Sequence, residues 1–81
     1  MENLLDRITL SPDIAFGKPV IKGTRMAVFF LMEHLAAGDS HQEIIEAFPF
    51  LKEEDILACL QYAAQLLDRN SIPKKVNLPA A

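Results

Sequence analysis

The sequence predicts a mainly α fold. The expected form is a three-helix, helix-turn-helix-like (homeodomain-like) bundle with a short N-terminal β-ribbon. It spans residues 8–69, between an N-terminal arm at 1–7 and a flexible tail at 70–81. Three observations predict it. Apolar residues recur at helical spacing in three stretches beyond Ala27. Gly38 and Pro49 punctuate those stretches where helices end. Ahead of them, two of the three glycines, two of the five prolines and three of the eight basic residues fall between Ser11 and Arg25. Glycine admits backbone angles that other residues resist and proline fixes φ, so that segment is a set of turns rather than a helix.

The elements follow in order. Residues 1–7 form a loose arm or a short helix. Ile8 and Leu10 alternate with Thr9 as in a strand, and Ser11-Pro12-Asp13 is a turn. Gly17-Lys18-Pro19 and Lys22-Gly23-Thr24-Arg25 are two further turns around Val20 and Ile21, which suit a second short strand. Thr24 and Arg25 are placed to tie this ribbon to the bundle by hydrogen bonds. A first helix is expected over Ala27–Ala37, with Val28, Leu31, Met32 and Leu35 on one stripe and Gly38 as a left-handed C-terminal cap. Ser40 and Glu43 fit a capping box for a second helix, which turns Ile44, Ile45 and Phe48 inward and stops before Pro49. Glu53, Glu54 and Asp55 crowd the first turn of a third helix, where acid complements the helix dipole. That helix runs to about Arg69, with Ile56, Leu60, Ala63 and Leu67 as its inward stripe.

Eighty-one residues make one small domain, too short for a large core. Cys59 is alone, so no disulfide staples it, and no paired spacing of Cys or His marks a metal site. Yet 51% of the residues are hydrophobic. Such a chain has more apolar surface than interior, and association, with homodimerisation first, is the expected remedy. No apolar run reaches membrane-span length and no secretory signal opens the chain, so the expected compartment is the cytoplasm and no membrane partner is expected. Net charge is −3, unevenly placed. Residues 1–25 balance at +1 and residues 69–81 at +3, whereas residues 26–68 set Lys52 against eight acids, a balance of −7. The middle repels phosphate and the ends attract it.

These distributions set the candidate sites. For nucleic acid they are Lys18, Lys22, Arg25, Lys74 and Lys75. For a partner or dimer interface they are Phe29, Phe30, Cys59, Tyr62 and Leu66, apolar positions in excess of one core. The start of the third helix, which reads DNA in helix-turn-helix proteins, carries three carboxylates here and opposes that use. His34 and His41 have no nucleophile at a useful spacing, and the glycines lack phosphate-loop spacing. No catalytic residue, cofactor or metal is expected, and the chain reads as a non-enzyme.

The order of motifs resembles the bacterial and archaeal family called domain of unknown function 433. The matching residues are Ile8, Ser11-Pro12-Asp13, Gly17 to Arg25, Ala36-Ala37-Gly38, Glu43-Ile44-Ile45, Phe48-Pro49-Phe50-Leu51, Glu53-Glu54-Asp55 and Ala58 to Ala63, over about Ile8 to Leu67. Two positions depart from the pattern. Ala27 stands where the family often has Pro, and Lys52 where Thr or Ser would cap the third helix. The resemblance implies a helix-turn-helix-like fold. It also implies an antitoxin of a two-gene toxin–antitoxin pair, whose partner resembles a PIN-type ribonuclease. Repression of its own operon is an optional extension of that reading. Such nucleases hold metal with carboxylates, so Arg69, Lys74 or Lys75 of the basic tail would compete in that cleft. The alternative is a stand-alone helix-turn-helix regulator that binds DNA.

Overall fold

The computed structural model describes residues 3–69. Lys74 and Lys75, and the tail to which they belong, lie outside the described residues. The order is a 3₁₀ turn (Leu4–Arg7), β1 (Ile8–Thr9), a second 3₁₀ turn (Ala15–Gly17), β2 (Val20–Ile21), α1 (Val28–Ala36), α2 (His41–Ala47) and α3 (Glu53–Arg69). The mainly helical architecture and the small N-terminal sheet are those expected from the sequence.

β1 and β2 pair antiparallel, Ile8 opposite Ile21 and Thr9 opposite Val20. Two residues per strand cannot hold a ribbon alone. Here the chain doubles back to support it. Ile21 N–H donates to the Met26 carbonyl at 2.9 Å and Val28 N–H to the Pro19 carbonyl at 2.9 Å, so β2 is bonded on both edges. Gly23, at φ 81°, makes the intervening turn possible. Thr24 locks it: its hydroxyl donates to the Ile21 carbonyl at 2.7 Å and accepts the Met26 N–H at 3.0 Å. Arg25 does not share that task. Its side chain is exposed, because the turn that Thr24 closes points the next residue outward.

α1 ends as expected. Gly38 adopts φ 97°, its N–H donates to the Leu35 carbonyl, and Asp39 N–H reaches back to the His34 carbonyl at 3.1 Å. The capping box of α2 is complete: Glu43 N–H donates to Ser40 Oγ at 3.0 Å and Ser40 N–H to Glu43 Oε1 at 2.7 Å. At α3 the missing Ser or Thr is partly replaced from within the helix, since Lys52 N–H donates to Asp55 Oδ2 at 2.9 Å.

The core gathers Ile21 from β2, Val28 and Leu31 from α1, Ile44 from α2, Ile56 and Cys59 from α3 and Leu51 from the α2–α3 connection, with Ile8 and Tyr62 packed at its edge. One expectation fails here. The inward face of α3 is not the stripe Ile56, Leu60, Ala63 and Leu67. Ile56, Ala58 and Cys59 are fully buried and Asp55 nearly so, whereas Leu60 is 38% and Leu67 71% exposed. The buried arc is rotated by roughly a quarter-turn. The cause is at the chain start. Arg7 Nη1 bonds Asp55 Oδ1 at 2.9 Å, and the Leu4–Arg7 turn and β1 lie along α3 on that side. Periodicity alone allowed either arc. The ion pair and the segment it anchors select the one bearing Asp55.

Candidate protein-binding faces

The rotation of α3 leaves an open groove between its second half and the start of α1. Phe29 and Met32 form one wall, Ala63, Leu66 and Leu67 the other, and Val28, Tyr62, Lys18 and Pro19 complete it. Its volume is about 550 Å³ and its lining is almost wholly apolar. Lys18 is the single charged lining residue, and its Nζ sits 4.6 Å from the centre of the Phe29 ring. A cation over an aromatic face is favourable, and it lets one charge border an apolar surface. Three expected interface residues, Phe29, Tyr62 and Leu66, therefore meet in one place. Tyr62 and Leu66 also wall a smaller recess shared with Leu5, Ile8 and Leu10.

Phe30 belongs to a second face. One position along α1 it points away from the groove, where its ring packs edge-on to His34 (centroids 4.9 Å) and Phe48 (5.9 Å). Phe48 in turn meets Phe50 at 6.2 Å. Phe30 and Phe50 stay 40% and 54% exposed, so this aromatic cluster between α1 and the α2–α3 turn is open to solvent. His34 Nδ1 and Asp39 Oδ2 are 2.7 Å apart and hold its rim.

Cys59 departs from the expected interface set. It is fully buried in the chain's own core and offers no surface. Burial, with the Asp55 carboxylate adding to it, pushes its thiol from an ordinary 9.0 to about 12. The side chain is thus a neutral hydrophobe.

Among the described residues, the expected basic sites Lys18, Lys22 and Arg25 line no common recess. Lys18 borders the groove. Lys22 lies at a polar recess with Asp6, Arg7 and Asp55, where two carboxylates offset it. Arg25 is exposed on its own turn. The carboxylates that open α3 are largely engaged: Asp55 by Arg7, and Glu53 by His41 Nδ1 at 2.6 Å. Beyond them, α3 has no basic residue from Glu53 to Asp68.

Sequence reading missed Phe16. It is 98% exposed, the most exposed large apolar side chain among the described residues. It sits on a turn in which Ala15, Phe16 and Gly17 have φ 53°, 56° and 81°. Left-handed backbone costs a non-glycine residue about 1 kcal/mol or more. The available signal was an aromatic residue directly before a turn glycine, in a segment with no apolar periodicity to bury it.

Residues 8–63 match the family model described as "Protein of unknown function (DUF433)". The chain belongs to the DUF433 family. It is 43% identical over 56 residues to the uncharacterized protein y4eO of Sinorhizobium fredii (strain NBRC 101917 / NGR234), a stretch that is 69% of this chain and 25% of that protein. The chain thus corresponds to a quarter of that relative's length. Among solved structures, it resembles a DUF433 member from Anabaena variabilis, with a TM-score of 0.71 and 28% identity over 79% of this chain and 66% of the other. The DUF433 match takes in the ribbon, α1, α2 and α3 as far as Ala63. No helix among the described residues is long and apolar enough to cross a membrane.

Proposed function

We propose that this DUF433 protein is antitoxin-like: it acts by binding rather than by catalysis, pairs with a second copy, and restrains a PIN-type ribonuclease. One observation carries this reading. Large apolar side chains stand exposed on two separate faces, the Phe29–Leu67 groove and the Phe30–Phe50 cluster. Leaving apolar area in water forgoes ~25 cal/mol per Å². A chain this small that keeps two such faces has two surfaces to cover, and an antitoxin needs two: one for its own copy and one for its target. The aromatic face suits the nuclease, since exposed aromatic residues are the usual anchors of tight interfaces. Lys74 and Lys75 supply the cations for its acidic metal cleft, and autoregulation of the operon would belong to the assembled complex. DNA binding by the chain alone is the weaker reading, because α3 carries no cation to meet phosphate from Glu53 to Asp68.

The test mixes the purified chain with the product of the adjacent gene and follows RNase activity. Stoichiometric inhibition is expected, and the double variant Phe30→Ala/Phe50→Ala should weaken it about 10- to 100-fold, the effect of losing one or two anchors. Full RNase activity in the presence of excess protein would refute the proposal. So would tight, salt-sensitive binding of duplex DNA by the chain alone.

A further inference from the structure

We infer that Phe16 of one copy seats in the Phe29–Leu67 groove of a second copy, reciprocally, to form a two-fold dimer. This rests on the reading of the chain as a protein-binding one and assigns the pairing to a specific surface. Three features point to it.

The first is the presentation of Phe16. Its ring is 98% exposed, on a left-handed turn, with backbone fixed on both sides. Ile14 N–H donates to the Ser11 carbonyl at 3.2 Å, Gly17 N–H to the Ile14 carbonyl at 3.0 Å, and Lys18 N–H to the Ala15 carbonyl at 3.1 Å. A ring held out by a braced turn loses little freedom on docking, and such preorganisation favours binding.

The second is adjacency. The groove begins at Lys18 and Pro19, two and three residues beyond Phe16, yet Phe16 is not among its lining. The knob and the hole lie side by side on one chain and do not fill each other. A two-fold axis beside them satisfies both contacts at once, as an isologous interface requires.

The third is charge. The turn that carries the knob bears Asp13, and the hole's one charged lining residue is Lys18. Opposite charges thus border the knob and the hole. Each ring buries about 150–250 Å². With matching groove walls the two contacts approach ~600–1,000 Å², below the ~1,200 Å² of a standard stable interface. The pair is therefore weak and concentration-dependent, with dissociation in the micromolar range.

Sedimentation velocity over a concentration series tests this, using wild type, Phe16→Ala, Leu67→Glu and an equimolar mixture of the two variants. Both substitutions fall on exposed side chains, so circular dichroism and thermal unfolding should match wild type. The wild type should dimerise, and each variant should weaken dimerisation at least tenfold. The mixture should recover part of it, because the intact knob of the Leu67→Glu copy meets the intact hole of the Phe16→Ala copy. Wild-type dimerisation retained in Phe16→Ala would overturn the inference, as would a mixture no stronger than its components. A wild type that is monomeric but inhibits the nuclease would overturn the inference together with the pairing half of the proposed function, and leave restraint of the nuclease standing. A monomer that dimerises only after residues 70–81 are deleted would give the groove to the chain's own tail, and would equally overturn the inference.

Discussion

Asp55 accepts the Lys52 N–H with one oxygen and the Arg7 guanidinium with the other, at 2.9 Å each. It thereby caps α3, fixes which arc of that helix faces inward, and ties down the start of the chain. Its side chain is 9% exposed, so removing Arg7 leaves a desolvated carboxylate without its cation. Arg7→Ala should cost about 2 kcal/mol, read from urea unfolding, with a larger loss than replacement of exposed Lys22. Cys59 ties stability to pH. Its thiol is neutral in the native state up to about pH 12, against 9.0 ordinarily. A raised acid pKa contributes stability that is complete below the unfolded value and lost as pH climbs through the folded one. Unfolding free energy should therefore fall between pH 9 and 12 more steeply in wild type than in Cys59→Ala. Alkylation of the thiol near pH 8 should proceed only at the rate of global unfolding. Prompt alkylation of the folded protein would show that Cys59 reaches a surface.

Among the elements, α2 depends most on its ends. It has seven residues and one fully buried side chain, Ile44, so helix propensity and packing alone leave it marginal. The capping box supplies two backbone partners, and Ser40→Ala should cost about 1 kcal/mol in thermal or urea unfolding. Both caps around Asp39 were legible in the sequence, because Gly38 and the Ser40–Glu43 pair are local signals with local causes. The ribbon was legible for the same reason, although Thr24 took the whole of the tying role that Arg25 was expected to share. The arc of α3 was not. Leu60 and Leu67 fit a core stripe by spacing as well as Cys59 and Tyr62 do, and only a contact across 48 residues, Arg7 to Asp55, separates the two. The groove was half legible. Phe29, Tyr62 and Leu66 stood out as surplus apolar residues, but the part of Lys18 as its charged border needed the third dimension. Phe16 escaped because its exposure arises from backbone angles that composition does not reveal.

At the scale of the whole molecule, the surplus of apolar residues resolves into geometry. One layer of core is shared by the ribbon and three helices, and what is left over forms the groove on one side and the aromatic cluster on another. The negative middle of the chain looks different in three dimensions: Asp55 and Glu53 are spent on Arg7 and His41. Neither face is suited to a phosphate backbone, and both are suited to protein. We propose that this DUF433 protein covers its apolar faces with protein partners, one of them a nuclease. Isothermal titration of the adjacent gene's product into the full chain, with RNase activity followed in parallel, tests it most directly. A saturable, stoichiometric complex is expected, in which RNase activity is lost and which Phe30→Ala/Phe50→Ala weakens. Absence of heat and of inhibition at concentrations where both proteins are folded would contradict it.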